Sequence, residues 1–463
     1  MEVELGGVQE KTPAAPVQPP AARRFLAAAV GKPKEVVCTW AKNVKKVATD
    51  DPRRILHGMK VGLALTLVSL FYYVNPLYEG FGVSAMWAVL TVVVVMEYTV
   101  GGTLSKGLNR GCGTLLAGGV GLGAHHLADL CGPKGEPIVL GFLVFVLAAG
   151  ATFSRFIPEV KARFDYGTMI FILTFSLVAV SSYRVDELLE LAQQRLSTIA
   201  IGGATCICIS LFVFPVWAGG DLHKLSANNL EKLATYLEGL AVEYFGEKEE
   251  LDGALVKDKS FLQAYKSVLN SKTTEEALAN FARWEPAHSK FLFYHPWNQY
   301  LKVGTQIRQC AYYIEALTTH IIKSQTPQPS SDVHRRIRNA CMEMCSESSK
   351  TLNELAAGMR AMTRPSAAHV HMEASGAAAN VLKAIVMEGG AVVEILQSAS
   401  MLSLLTEIVC CTRDIAVAVE ELARLAQFKS SDADDDAHRH RSTVRPIAET
   451  EGSPHHVINM GGQ

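Results

Sequence analysis

Long runs of apolar residues alternate with short polar breaks through the first half of the chain. One run extends from Phe81 to Met96 with almost nothing polar in it, and a second, glycine-rich run follows a break that holds Glu97, Lys106 and Arg110. A buried helix of a soluble protein would show a polar stripe at helical period, and a buried strand would be shorter. The pattern therefore predicts helices that span a membrane.

Six spans are predicted on this pattern: Ile55–Val74, Gly80–Met96, Leu108–Leu127, Ile138–Phe153, Gly167–Tyr183 and Leu196–Trp217. Several are shorter than the roughly 20 residues that a bilayer-crossing helix needs, a difference that helix tilt or local thinning of the bilayer accommodates. Together they predict a transmembrane domain over residues 55–217.

The second half of the chain changes to amphipathic helical patterns. Apolar residues recur at helical spacing from Leu230, through Phe261–Leu269 and Glu275–Trp284, and from Tyr300 to Ile321. Further helices are predicted from about Val333 to Met362 and within Val381–Phe428, after a linker at 325–331. These patterns predict a helical domain over residues 218–428.

The two ends of the chain and the segment before the first span have other patterns. We predict that residues 1–30 and 429–463 are disordered, because they contain few large apolar residues. Residues 31–54 form a basic amphipathic segment, with valines and Trp40 on one helical face and lysines largely off it. Such a helix either lies on an anionic membrane surface or packs on the rest of the protein.

Lysine and arginine are unevenly distributed between the two sides of the predicted bundle. They are frequent before the first span and in the loops after the second and fourth spans, and sparse in the other loops. The positive-inside rule therefore places the amino terminus in the cytosol, and six crossings return the carboxyl terminus and the helical domain to the same side.

Composition agrees with a membrane protein and excludes one class of function. The chain is 49% hydrophobic and 19% charged, below the roughly 25% charged residues of soluble domains. Its net charge of -1 argues against nucleic-acid binding, which needs a basic surface.

Motifs for catalysis or cofactor binding are missing from the sequence. No Walker A loop, H-E-x-x-H, G-x-S-x-G or Rossmann fingerprint occurs. His369 and His371 with Glu373, and two histidine pairs in the tail, are candidate metal ligands, but no fixed ligand spacing supports such a site. We therefore expect neither an enzyme nor a resident metal or cofactor.

Charged residues inside or beside the spans are the candidate functional residues. Lys60 lies within the first span, Glu97 closes the second and Arg110 opens the third. A cation at mid-span costs about 2.5–3.5 kcal/mol on insertion scales, so it usually faces a bundle interior or a water-filled path. Basic residues that line a pore select anions. We expect Lys60 and Arg110 to line such a pore, with Glu97 in an ion pair with one of them.

Other cations have a second interpretation. Arg53 and Arg54, and also Lys161 and Arg163 before the fifth span, have side chains long enough to reach the lipid headgroups without any further role. Glycines four residues apart predict close helix contacts at three places: Gly58/Gly62, Gly107/Gly111 and Gly119/Gly123.

Several stretches resemble the plant aluminium-activated malate transporter family. They are DPRRILHGMKVGLALTLVSL, WAVLTVVVVMEYTVGGTLSKGLNRGCGTLLAG, RFIPEVKARFDYGTMIFILTFSLVAVSSYR and FPVWAGGDLH, with WEPAH in the second half similar to the family's Trp-Glu-Pro motif. The resemblance implies a homodimeric anion channel with six transmembrane helices per subunit and a cytosolic helical domain.

The same resemblance implies roles for individual residues. It assigns Lys60, Arg110, Lys161, Arg184 and Arg195 to the permeation path, with Glu97 in support. It also places Phe212 and Phe214 in a segment associated with modulation by 4-aminobutyrate.

The pattern predicts an all-α membrane protein with a pore lined by basic residues, and the family resemblance implies that malate, and inorganic anions such as chloride or nitrate, pass through it. The plasma membrane is preferred over the vacuolar membrane as its location. One alternative is a proton-coupled organic-anion carrier with Glu97 as the proton site. Another is a membrane-tethered enzyme, disfavoured by the missing catalytic motifs.

Overall fold

The computed structural model describes residues 37–74, 85–182, 188–245, 261–288, 291, 295–323, 332–388 and 392–429. Over these ranges the chain forms α-helices and no β-strand, apart from two isolated bridges. The predicted all-α class is confirmed. The linker at 325–331, residues 1–36 and the predicted tail from residue 430 onward lie outside the described residues. Lys429, the first residue of the predicted tail, forms a bridge with Thr363.

The apolar half contains eight helices among the described residues: α1 (37–50), α2 (Arg53–Tyr73), α3 (Ala85–Val95), α4 (Val100–Asp129), α5 (Gly132–Ser154), α6 (Pro158–Arg163), α7 (Asp165–Ser182) and α8 (Leu188–Phe212). Each predicted span overlaps one helix of this series, and α6 is a short helix between spans. By length and composition, α5 is the one described helix able to cross a membrane, while α3, α7 and α8 contain shorter apolar stretches.

The apolar helices form two packed groups. One group joins α2, α3 and α8 around Ala64, Val68, Val92, Val95 and Cys206. The other joins α4, α5 and α7 around a second cluster that includes Phe175. Because α4 also contacts α8, it connects the two groups.

The glycines that make close contacts are not those predicted by spacing. A Cβ at Gly113 would lie 2.7 Å from the Gly167 carbonyl oxygen, and a Cβ at Gly121 would lie 2.8 Å from Val178 Cγ1. Of the six predicted glycines, Gly107 alone has atoms near its Cβ position. For contacts within one chain, the prediction from spacing was wrong, because the rotation of a helix about its axis decides which small residues meet a neighbouring helix of the same chain.

The second half folds into helices around one large apolar core. They are α9 (Ala218–Phe245), α10 (Phe261–Leu269), α11 (Lys272–Ala282), α12 (Trp297–Lys323), α13 (Asp332–Ala361), α14 (Ala368–Glu388) and α15 (Val392–Leu425). The core runs from Ala218 to Phe428 and encloses an ion pair between Glu275 and Arg308. Helix α14 begins at Ala368 instead of Val381, because its alanine-rich first turns show no stripe of large apolar residues.

Helix α1 is exposed along almost its whole length. Val37, Trp40, Val44 and Val47 are 45–68% exposed, although they share one apolar face. The interpretation that this face packs on the rest of the same chain is therefore wrong for the described residues.

A buried glutamate joins the two halves of the molecule. Glu285 is 9% exposed, and its carboxylate accepts hydrogen bonds from the backbone amides of Ala218 (2.6 Å) and Gly219 (3.0 Å) at the start of α9. The backbone amide of Gly101, at the start of α4, also stabilises the ionised carboxylate. A carboxylate is favoured at helix amino termini because their N–H groups lack partners within the helix.

The start of α4 lies very close to α11 at this joint. A Cβ at Gly101 would lie 2.2 Å from the Phe281 carbonyl oxygen, so no other residue fits without movement of the backbone. The amide of Val100 donates to the carbonyl of Val216 at 2.9 Å, which ties α4 to the segment before α9. The helical domain is therefore attached to α4 by backbone contacts.

We expect the stability of this joint to depend on pH through Glu285. Burial raises the pKa of Glu285 from 4.5 to about 7, because loss of water outweighs the backbone amides that favour the charged form. The folded state binds the proton of Glu285 more tightly than the unfolded state does. The contribution of Glu285 to the free energy of unfolding is therefore complete below pH 4.5 and falls by about 3 kcal/mol as the pH rises through 7. Thermal unfolding of the purified chain measures this fall, and Glu285→Gln should abolish it. The control is Glu276→Gln, which changes an exposed glutamate, and its stability should depend on pH as that of the wild type does. If stability depends on pH in the same way in all three proteins, the expectation is contradicted.

We also expect Gly101→Ala to destabilise the protein, by about 1–3 kcal/mol, because the new methyl group forces α4 away from α11. The matched control is Gly376→Ala within α14, where a Cβ has no atom within 4 Å. The control should be neutral or slightly more stable, since alanine favours a helix over glycine. Equal melting temperatures for the two variants would disprove the close contact.

Candidate functional site

Arg110 is a buried cation on the enclosed face of α4. It is 5% exposed, and its Nη1 donates a hydrogen bond to the hydroxyl of Tyr166 at 3.1 Å. Its buried Nε has no hydrogen-bond partner in the described part of the chain. No carboxylate among the described residues forms an ion pair with it. The guanidinium therefore keeps capacity to bind an anion.

Helices α4 and α7 place Tyr166 opposite Arg110. The side chain of Asn109 donates to the carbonyl of Arg163 at 2.9 Å, and the backbone of Gly167 lies against Asn109. These contacts fix the start of α7 beside α4. Sequence reasoning missed Tyr166, although its position just before an apolar span could have suggested a polar group at the end of the bundle.

Glu97 forms its ion pair with Lys106 and not with Lys60 or Arg110. The expectation that it pairs with one of the latter two was wrong. The backbone of Glu97 is bonded to the hydroxyl of Thr103, which holds the carboxylate beside the first turns of α4, so the nearest cation in the helix is Lys106.

Lys106 is a further site residue that sequence reasoning used only to predict orientation. Its Nζ lies 5.8 Å from the ring centroid of Tyr166, within the range of a cation–π contact. Since Lys106 and Arg110 are four residues apart, they share one face of α4. The structure thus brings together Glu97, Lys106, Arg110 and Tyr166.

Lys60 is buried at the other group of helices. It is 4% exposed, and its Nζ donates a hydrogen bond of 2.7 Å to the carbonyl oxygen of Phe214. Phe214 follows the end of α8 and has a φ of 46°, in the left-handed region. Phe212 and Phe214 themselves are 81% and 68% exposed. Lys60 therefore holds the turn that leads from α8 to the helical domain.

The remaining predicted cations do not join this cluster among the described residues. Lys161 lies exposed on α6. Arg195 belongs to α8, but its side chain lies outside the description, and Arg184 lies outside the described residues altogether.

A second charged network lies where α2 and α9 begin. Arg53 pairs with Asp221 at 3.0 Å and with Asp51 at 3.2 Å, and Tyr98 donates to Asp51 at 2.9 Å. Desolvation opposes ionisation of Asp51, but the hydrogen bonds from Tyr98 and Arg53 outweigh it and hold the pKa of Asp51 below its usual value. Sequence reasoning treated Arg53 only as a cation that reaches the headgroups and missed this network.

The histidines weighed as metal ligands in the second half do not form one site. His371 contacts Glu347 at 2.7 Å, whereas His369 lies 3.5 Å from Glu373 on the exposed side of α14. Two positions apart on a helix, the imidazoles point in different directions.

The sequence matches a known family over most of its length. The family model described as "Aluminium activated malate transporter" matches residues 45–391. Aluminum-activated malate transporter 1 of Triticum aestivum is 52% identical over 398 residues, covering 84% of this chain and 86% of that protein.

Relatives from Arabidopsis thaliana agree with this match. Aluminum-activated malate transporter 2 is 52% identical over 391 residues, which cover 83% of this chain and 78% of the relative. Aluminum-activated malate transporter 7 is 46% identical over 417 residues, which cover 83% of this chain and 82% of the relative. The resemblance drawn from the sequence motifs is confirmed, as is the expectation that the protein is not an enzyme. The chain belongs to the aluminium-activated malate transporter family, whose members are membrane transport proteins.

Proposed function

We propose that this protein is an anion channel that passes malate, and inorganic anions such as chloride or nitrate, down their electrochemical gradients. The observation that carries the proposal is Arg110, a buried guanidinium with one hydrogen bond to Tyr166 and no ionic partner among the described residues. A buried cation of this kind is costly unless an anion or water reaches it. The names of the relatives support malate as one such anion.

Six membrane crossings with both termini in the cytosol agree with the contacts of the helical domain. The start of α2 contacts the domain through Arg53 and Asp221, and the start of α4 through Gly101 and Phe281. Just after α6, Phe164 contacts Trp284, and the end of α8 leads directly into the domain. If the chain crosses the membrane six times, these four helix ends all lie on the side of the membrane where the chain starts. The α4–α5 turn then lies on the opposite, outer face.

The pore is lined by cations in this proposal. Arg110 is the central anion contact, and Lys60, Lys161, Arg184 and Arg195 are further basic groups along the path. Glu97 supports the path through its ion pair with Lys106. Positive groups compensate an anion for the water that it loses on entering a narrow passage.

The membrane potential alone supplies the driving force. A divalent anion that crosses 100 mV gains about 4.6 kcal/mol, twice the value for a single charge. No nucleotide-binding motif occurs in the sequence, and none is required for passive flow.

We further propose a homodimer in the plasma membrane, in preference to the vacuolar membrane. Gly111, Gly118, Gly119 and Gly123 on α4 have no atom near their Cβ positions, which leaves room for close approach by another helix. Phe212 and Phe214 are exposed where α8 ends, so a small modulator such as 4-aminobutyrate has access to them.

The alternative of a proton-coupled carrier is less well supported by the geometry. Its proton site, Glu97, is engaged by Lys106.

Arg110→Ala should reduce anion current at least tenfold, because the central cation of the path is lost. The measurement is anion current from purified protein in planar bilayers, with the melting temperature as a test of folding. The control is Arg163→Ala, which removes an exposed cation beside the same helices and should leave most of the current. Equal currents for wild type and a folded Arg110→Ala variant would exclude Arg110 from the path.

Channel and carrier are distinguished by the form of the transport. With malate on one side and nitrate on the other, a channel should give unitary currents whose reversal potential follows the anion gradients. A carrier should give none, and its flux should change in fixed proportion with a pH gradient. Reversal potentials that follow cations would reject both versions of anion transport.

A further inference from the structure

Three metal-ligating side chains meet where α4 ends and α5 begins. His125 and Asp129 lie one helical turn apart on α4, and Glu136 lies near the start of α5. One ligand atom from each side chain lies within 4.8 Å of the other two. The tight turn between the helices uses Gly132, whose φ of 72° is a conformation that glycine adopts without strain.

The imidazole of His125 lies between the two carboxylates without a hydrogen bond to either. Its Nε2 is 3.8 Å from Asp129 Oδ2, and its Nδ1 is 3.8 Å from Glu136 Oε1, both too long for a hydrogen bond. Nδ1 is buried and has no hydrogen-bond partner in the described structure. Buried imidazole nitrogens normally have a partner, so this arrangement lacks a component.

We propose that His125, Asp129 and Glu136 form a binding site for a divalent transition-metal cation of the zinc type. One nitrogen and two carboxylate oxygens match the ligands of zinc, whereas calcium and magnesium take oxygen ligands alone. Ligands of a tetrahedral zinc ion are about 3.4 Å apart, given bonds of about 2.1 Å. A zinc ion binds one imidazole nitrogen, whereas the two 3.8 Å distances start from different nitrogens of His125. The ligand atoms that lie within 4.8 Å of one another must therefore approach by side-chain rotation when zinc binds.

Access to the site is open on one side. The side chain of Asp129 is 53% exposed, while those of His125 and Glu136 are 27% and 18% exposed. A cation thus enters past Asp129 and loses water against the two more buried ligands. The site lies near the end of α4 opposite to the Glu285 joint, and the inference does not depend on the transported substrate.

Zinc binding to the purified full-length chain tests this proposal. The free zinc concentration is followed with a chromophoric chelator that competes with the protein, and thermal unfolding is measured with and without zinc. His125→Ala, Asp129→Asn and Glu136→Gln should each weaken the tightest site at least tenfold and remove the zinc-dependent rise in melting temperature. The control is His126→Ala, which removes an exposed imidazole one position along the same helix and should leave both readouts unchanged.

Comparison of the variants separates this site from other histidines of the chain. If His125→Ala binds zinc with the stoichiometry and affinity of the wild type, the proposal is overturned. The proposal of a zinc site is also overturned if the site binds calcium and His125→Ala still binds it. The carboxylates would then bind the cation without the imidazole. Asp129→Asn changes an exposed side chain and keeps the test valid should His125→Ala fail to fold.

Discussion

A guanidinium held away from water among apolar helices is the constraint around which the apolar half is arranged. Removing such a charge from water costs several kcal/mol in proteins, and a single neutral hydroxyl, that of Tyr166, compensates only part of that cost. The buried Nε of Arg110 leaves a further donor unused among the described residues. An anion close to Arg110 would supply the acceptors that the protein itself does not, so a feature that reduces stability favours binding.

The helical domain is connected to this cation through the backbone of α4. Glu285 binds the amino ends of α9 and, through Gly101, of α4, and no side chain separates Gly101 from α11. The domain itself has a continuous core and a buried Glu275–Arg308 pair, so it resists deformation. The joint between this domain and α4 is thus made of backbone contacts and one buried carboxylate.

Helical periodicity predicted the elements well but could not predict their partners. The bounds of α10 were predicted from the sequence, because a short stripe of large apolar residues determines them. The partner of Glu97 was not predicted. It depends on how the break between α3 and α4 places the carboxylate relative to Lys106 and Arg110, which lie on the same helix. The same limit applies to the glycines: spacing gives the face that they share, whereas the crossing of α4 and α7 decides that Gly113 and Gly121 make the contacts.

The two packed groups of apolar helices each hold one of the two buried cations, Lys60 and Arg110. Gly113 and Gly121 bring α4 close against α7, and the Arg110–Tyr166 hydrogen bond joins the same pair of helices. Lys60 belongs to the other group, where its bond to Phe214 joins α2 to the end of α8. Each cation is therefore held by a bond within its own group. The distance between Lys60 and Arg110 depends on the contacts of α4 with α3 and α8, which join the two groups.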